Sequence, residues 1–220
     1  MIRAVLFDLD GTLYDRDAAM SELAHEQFTT FRERLNGVDE ERFILRFIEI
    51  DEHGYASRPD VYRRLGDEFG LASGLTHDLE RHFWEAYARR CEISSDTWST
   101  LQALRTAGKT LGLITNGQTR WQTRKLEGLG LGSFFEVVLI SEAEGVKKPE
   151  AAIFHRALDR IGVLPADAMF VGDHPEVDVR GAHDAGLVAV WKRVPYWTLA
   201  LHDVLVVDRL SEILPVCLQA

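Results

Sequence analysis

The sequence predicts an α/β protein: a doubly wound, mostly parallel β-sheet with an all-α segment inserted after its first strand. Two observations carry this prediction. From residue 110 onward, short apolar runs alternate with amphipathic helical stretches, which is typical of a parallel sheet covered on both faces. Between residues 17 and 92, Glu, Arg, Leu and Phe recur at helical spacing with few strand-like runs. We therefore expect a sheet domain of residues 1–16 and 93–220, interrupted by a helical domain of residues 17–92.

The first strand is predicted at residues 4–8, a short apolar run that ends in acids. The inserted segment is predicted to form helices over residues 22–35, 40–50, 60–69 and 79–90. A helix over residues 96–107 then leads back to the sheet, because Asp96 is a suitable N-cap and Gly108 lies just beyond the end. The segment 53–58, with His53, Gly54 and Arg58, interrupts the helices either as a substrate loop or as an ordinary connector.

The second half of the chain supplies the remaining strands and helices. Apolar, β-branched and aromatic runs predict strands over residues 110–115, 135–140, 168–172, 187–191 and 204–207. Helices are predicted between them over residues 118–129, 149–161 and 175–185, with a closing helix over 209–217. Gly130 and Gly186 follow two of these helices and are typical of helix C-termini.

Polar residues follow four of the predicted strands at their carboxyl ends. Because residues two apart on a strand point the same way, we expect Asp8 and Asp10 to project together. The carboxyl ends of parallel strands meet at one edge of the sheet, where ligands bind. The sequence therefore predicts a site at that edge, built from Asp8, Asp10, Thr115, Asn116, Gly117, Lys147, Lys148, Asp173 and Asp178.

Four segments resemble, in this order, the motifs of the haloacid dehalogenase-like (HAD) hydrolase superfamily: Asp8-Leu9-Asp10-Gly11-Thr12, Thr115-Asn116, Lys148-Pro149, and Gly172-Asp173 with Asp178. The helical insertion resembles the C1 cap of that superfamily. Residues 114–118 and 144–149 resemble the branch that contains pyrimidine 5'-nucleotidases and N-acylneuraminate-9-phosphatase. The resemblance implies a Rossmann-like core and a capped phosphatase that hydrolyses phosphomonoesters through an aspartyl-phosphate.

The resemblance also implies a role for each residue. Asp8 is expected to be the nucleophile and Asp10 the general acid and base, with a pKa raised by neighbouring negative charge. Thr115 and Lys148 would hold the phosphoryl group, and Lys147 is expected to be solvated. Backbone N–H groups near Asn116 and Gly117 would help to bind the substrate, and Asp178 would orient Lys148 or a metal-bound water.

A divalent cation is expected at this site. A carboxylate that attacks a phosphate dianion meets a repulsion of ~8 kcal/mol near 4 Å at an effective dielectric constant of ~20. Oxygen ligands favour Mg²⁺, and the ligands are expected to be Asp8, the Asp10 backbone carbonyl and Asp173.

Composition limits the classes of binding partner and the cellular compartment that we expect. The formal net charge of −10 argues against a nucleic acid polymer and against an anionic membrane surface. Two distant cysteines and an N-terminal apolar run broken by Asp8 and Asp10 are typical of a cytoplasmic protein without a signal peptide. We expect the partner to be a small phosphorylated metabolite such as a nucleoside monophosphate or sugar phosphate, and the chain to be a monomer or a homodimer.

Other activities stay open or are disfavoured. A phosphosugar mutase of the same superfamily would use the same acids, so this alternative remains. A receiver-like signalling switch that accepts a phosphoryl group without turnover is a second alternative, although that fold has about half this length. A haloacid dehalogenase has no need of a second acid at Asp10, and a phosphonatase needs a lysine in its cap, whereas residues 1–108 contain none.

Overall fold

The computed structural model describes residues 1–200, 202 and 204–218. The chain forms two compact units. The sheet unit comprises Met1–Tyr14 and Ile93–Ala220, and the helical unit comprises Asp15–Glu92. Within the described residues, every helix is too short or too polar to cross a lipid bilayer.

The helical unit contains four α-helices, α1 (Arg16–Thr30), α2 (Glu40–Asp51), α3 (Arg58–Phe69) and α4 (Ser73–Ala86), with 3₁₀ turns at Glu52–Gly54 and Tyr87–Arg89. The side chains of Asp15, Asp39 and Ser57 each accept a hydrogen bond from a backbone N–H in the first turn of the following helix. Helix α1 therefore begins six residues before the predicted position 22, because Asp15 caps it.

A buried ion-pair cluster lies inside the helical unit. Asp51, at the end of α2, is 1% exposed and its Oδ2 lies 2.6 Å from Arg16 Nη2. Arg58 pairs with the other oxygen of Asp51, and its guanidinium lies over the ring of Phe83 at 4.7 Å. Two arginines therefore share one buried carboxylate, and the segment around Gly54 packs so closely that a Cβ there would lie 2.8 Å from Arg16 Nη2.

The sheet unit is built on six parallel strands: β1 (Ala4–Phe7), β2 (Thr110–Thr115), β3 (Val137–Ile140), β4 (Ala168–Gly172), β5 (Val188–Lys192) and β6 (Leu205–Val207). Their order is β3-β2-β1-β4-β5-β6, which confirms the predicted doubly wound α/β fold. The strand order reverses between β1 and β4, so a crevice is expected beyond the carboxyl ends of these two strands. All four residues of β1 are buried, so the strand passes through the middle of the core.

Helices connect the strands of the sheet unit: α5 (Ser95–Thr106), α6 (Thr119–Gly128), α7 (Ser141–Glu144), α8 (Ala151–Ile161), α9 (Gly181–Asp184) and α10 (Leu214–Cys217). Short 3₁₀ turns lie at Pro165–Asp167 and Leu210–Ile213, and a π-helical turn lies at Pro175–Arg180. On the inner face of α8, Ile153, Phe154, Ala157 and Leu158 pack in the same core cluster as residues of β1–β5. The alternation of strands and helices follows the pattern predicted from residue 110 onward.

Several predicted details are wrong. The closing helix predicted over 209–217 is a 3₁₀ turn (Leu210–Ile213) followed by α10 (Leu214–Cys217). Ser94 caps α5 in place of Asp96, whose carboxylate accepts hydrogen bonds from the Ser211 hydroxyl at 2.6 Å and the Ser211 N–H at 3.2 Å. The single helix predicted over 175–185 is a π-helical turn followed by α9. Strand β1 ends at Phe7, so Asp8 and Asp10 lie beyond the strand and its two-residue alternation does not fix their directions.

Candidate active site

Asp8 is the first residue beyond β1 and is buried at the point where the strand order reverses. Its N–H donates to the carbonyl of Val171 at 2.9 Å, which extends the pairing with β4 by one residue. Lys148 Nζ lies 2.6 Å from Asp8 Oδ1, and Thr12 Oγ1 lies 3.5 Å from Oδ2. Burial, with the negative charges of Asp178 and Asp10, raises the pKa of Asp8 to about 7 against the opposing effect of Lys148.

Lys148 is held between two acids by the loop that follows α7. Its Nζ lies 2.6 Å from Asp8 Oδ1 and 2.6 Å from Asp178 Oδ1, and the residue is 2% exposed. Burial alone would lower its pKa, but Asp178 and Asp8 raise it above the usual value, so the ammonium stays charged. The Asn116 side chain donates to the Lys148 carbonyl at 2.9 Å and accepts from its N–H at 3.0 Å. Asn116 thus fixes the backbone that presents Lys148.

Two glycines leave room for the side chains of Asp173 and Asp178 to pack against the backbone. A Cβ on Gly11, whose φ is +82°, would lie 2.5 Å from Asp173 Oδ2. A Cβ on Gly172, the last residue of β4, would lie 2.3 Å from the Cβ of Asp178. No larger residue fits at either position unless an acid moves. Asp178 belongs to the π-helical turn, and its Oδ2 accepts from the His174 N–H at 3.1 Å.

The acid cluster fits a divalent cation. Asp8, Asp173 and Asp178 are buried and each offers an oxygen within 4.8 Å of the others. Lys148 is the cation paired with two of these acids, so three carboxylates carry a buried excess of negative charge. Burial, followed by repulsion from Asp178 and Asp8, accordingly raises the pKa of Asp173 well above its usual value. Oxygen ligands and unbalanced negative charge are what a bound Mg²⁺ requires.

Asp10 lies apart from this cluster with partners that sequence reasoning missed. Lys125 Nζ contacts both carboxylate oxygens, at 2.6 Å for Oδ2, and Gln122 Nε2 donates to Oδ2 at 2.9 Å. The Tyr14 hydroxyl donates to Oδ1. Burial alone would raise the pKa of Asp10, but Lys125 and the hydrogen bonds from Tyr14 and Gln122 lower it to about 2. The predicted upward shift is therefore wrong.

The missed partners leave a signal in the sequence. Gln122 and Lys125 stand at positions i and i+3 of α6, on the same buried face as Leu126. A glutamine and a lysine on the inner face of a helix require polar partners, since lysine is almost never buried unless it is paired. Because α6 begins four residues after β2 ends, those partners lie at the same edge of the sheet.

The remaining predicted residues also lie at this edge. Thr115 ends β2 and is 1% exposed, and its Oγ1 accepts from Gln122 Nε2 at 2.5 Å. The Gly117 N–H donates to Ser141 Oγ at 2.9 Å, so it already has a protein partner. Lys147 is exposed, whereas Lys148 is buried. The roles of Thr115 and Gly117 toward a substrate stay predictions.

Comparison with known proteins places this geometry in a family. The family model of the haloacid dehalogenase-like hydrolases matches residues 2–186. A glyceraldehyde 3-phosphate phosphatase of Methanopyrus kandleri is 34% identical over 201 residues, covering 86% of this chain and 83% of the relative. The N-acylneuraminate-9-phosphatase of Mus musculus is 29% identical over 204 residues, covering 86% of this chain and 82% of the relative. A HAD phosphatase structure from Thermococcus onnurineus superposes with a TM-score of 0.67 at 28% identity, covering 98% of this chain and 97% of the other.

The family match covers all four strand-end segments, from Asp8 to Asp178, and the predicted resemblance is confirmed. The chain belongs to the haloacid dehalogenase-like hydrolase family.

Proposed function

We propose that the protein is a Mg²⁺-dependent phosphatase that hydrolyses the monoester of a small phosphorylated metabolite through an aspartyl-phosphate on Asp8. The observation that carries this proposal is the pairing of Asp8 with the buried Lys148 inside a cluster of acids, while a second acid, Asp10, is held separately. The phosphatase activities named for similar proteins support the same substrate class.

The residues would divide the chemistry as follows. Lys148 occupies Asp8 Oδ1, which leaves Oδ2, with its 3.5 Å contact to Thr12, as the oxygen that attacks phosphorus. As the new bond forms, the ester P–O bond breaks and Asp10 delivers a proton to the leaving oxygen. Asp10 then takes a proton from the water that attacks the phosphorus, which releases inorganic phosphate and restores the Asp8 carboxylate.

Mg²⁺ held by Asp8 and Asp173, with Asp178 close by, would offset the negative charge of the substrate phosphate. Lys148 would place a fixed positive charge beside the same group. Asp10, with a pKa of about 2 in this arrangement, is ionised and must receive a proton before it can act as an acid.

Release of inorganic phosphate from a panel of about a hundred phosphorylated metabolites and a generic aryl phosphate tests this function. We expect many turnovers per chain for the wild type and no turnover for Asp8→Asn. The turnover rate of Asp10→Asn should fall by about 10²–10⁴-fold. Asp184→Asn removes an exposed carboxylate and is the matched control. Calorimetry should show that Asp10→Asn still binds Mg²⁺.

Each alternative has its own signature in the same assay. A receiver-like switch would stop after one phosphorylation per chain, and a mutase would yield an isomeric sugar phosphate in place of free phosphate. Wild-type turnover in Asp8→Asn would rule out the covalent mechanism.

A further inference from the structure

We infer that Lys125 is a positioning residue for Asp10: its buried ammonium fixes the Asp10 carboxylate in the orientation needed for proton transfer to the leaving group. The inference rests on the proposed phosphatase function. Under this inference the reaction also depends on a residue of α6, which lies outside the four strand-end segments.

The contacts around Asp10 fix its carboxylate from several sides. Lys125 Nζ reaches both oxygens, so it constrains the rotation of the carboxylate as well as its position. Gln122 Nε2 adds a hydrogen bond at 2.9 Å to Oδ2, and the Tyr14 hydroxyl adds one to Oδ1. The donors come from α6 and from the loop after β1, two separate parts of the sheet unit.

Burial shows that Lys125 is placed for this contact. The residue is 8% exposed, and an ammonium is rarely so deeply buried without a carboxylate partner. Tyr14 is 4% exposed and Gln122 is 3% exposed, whereas the Asp10 side chain is 23% exposed, so the donors are shielded from water and the carboxylate keeps an open side. The chain has five lysines, and among the described residues the two buried ones are Lys125 and Lys148.

The two buried lysines serve different acids. Lys148 contacts Asp8 and Asp178, two of the three acids that could hold a cation. Lys125 contacts Asp10 and keeps its side chain out of the group formed by Asp8, Asp173 and Asp178. Without Lys125, the Asp10 carboxylate would lose the contact that holds both of its oxygens, and its distance to the leaving oxygen would vary.

Leaving-group dependence separates this role from a structural one. A dinitrophenolate departs without a proton, whereas an alkoxide needs one, so misplacement of Asp10 should slow alkyl phosphates and spare activated aryl phosphates. The experiment measures single-turnover phosphoryl transfer with excess enzyme and saturating Mg²⁺, using 2,4-dinitrophenyl, 4-nitrophenyl and phenyl phosphates and glycerol 3-phosphate. The variants are Lys125→Met, Lys125→Arg and, as matched control on the exposed face of the same helix, Arg124→Met.

We expect Lys125→Met to lose roughly 10²-fold in rate with the alkyl phosphate and less than about threefold with the dinitrophenyl ester. Lys125→Arg should recover most of the loss, and Arg124→Met should match the wild type. If Lys125→Met does not fold, Tyr14→Phe removes one donor to Asp10 and should show the same pattern at smaller size.

An equal loss for all four esters, or no loss for any, overturns the inference while the proposed function stands. Absence of turnover by the wild-type chain with every ester overturns the proposed function itself.

Discussion

Replacing Asp8 by asparagine should make the stability of the metal-free protein less sensitive to a rise in pH from about 5.5 to 8. The pKa of Asp8 rises from 3.8 in an unfolded chain to about 7 in the folded one, because burial disfavours the charged form. A carboxyl whose folded-state pKa is raised stabilises the fold most when protonated, and this contribution declines as pH rises through about 7. Between pH 5.5 and 8 the wild type should therefore lose about 2 kcal/mol more than Asp8→Asn, which cannot ionise.

Urea denaturation with a chelator at pH 5.5 and at pH 8 measures this difference. The free energy of unfolding of Asp8→Asn, minus that of the wild type, should increase by about 2 kcal/mol between the two conditions. Asp159→Asn removes an exposed carboxylate from α8 and controls for the general effect of losing one negative charge. A difference that changes by less than about 0.5 kcal/mol with pH would refute the argument that burial raises the pKa of Asp8 in the metal-free fold.

Two further substitutions test the packing of charges. Asp51→Asn leaves Arg16 and Arg58 without their shared carboxylate, so the free energy of unfolding measured by urea denaturation should fall by about 3–5 kcal/mol. An unchanged free energy of unfolding would mean that the arginines find other partners. Gly11→Ala places a methyl group 2.5 Å from Asp173 Oδ2 at a φ of +82°, and calorimetry should show Mg²⁺ affinity weaker by roughly tenfold or more. Unchanged Mg²⁺ affinity in Gly11→Ala would mean that Asp173 does not bind the cation.

Much of the fold follows from local sequence patterns. The strands from residue 110 onward are short apolar runs bounded by glycine or polar residues, and each predicted strand coincides with an observed one to within two residues at either end. Helix limits are less well predicted because capping depends on which of several polar residues is free to accept a hydrogen bond. Ser94 caps α5 by accepting a hydrogen bond from the Thr97 N–H at 3.1 Å, whereas Asp96 lies inside the helix and accepts from Ser211, a partner 115 residues away in the chain.

The candidate site shows the same division. The acids and the lysine that follow the strands were predicted, because the end of a parallel strand fixes where the next residues lie. The environment of Asp10 was not predicted, because the positive charge that lowers its pKa belongs to Lys125, on the buried face of α6. Lys125 is far from Asp10 in sequence, and only its place on the buried face of α6 shows that it needs a carboxylate. Sequence position locates the acids, and tertiary contact decides which of them is protonated.

The environment of Asp10 also bears on the type of bond that the protein cleaves. A halide leaves carbon as a stable anion and needs no proton, so a dehalogenase gains nothing from an acid in this position. An ester oxygen leaves as an alkoxide and needs a proton donor that later becomes a base. Tyr14, Gln122 and Lys125 together direct three donors at this single carboxylate. These donors hold Asp10 ionised, with a pKa of about 2, so it can protonate a leaving group only after it has received a proton. The presence of this second acid, more than the donors around it, favours a phosphoester over a carbon–halogen bond as the substrate.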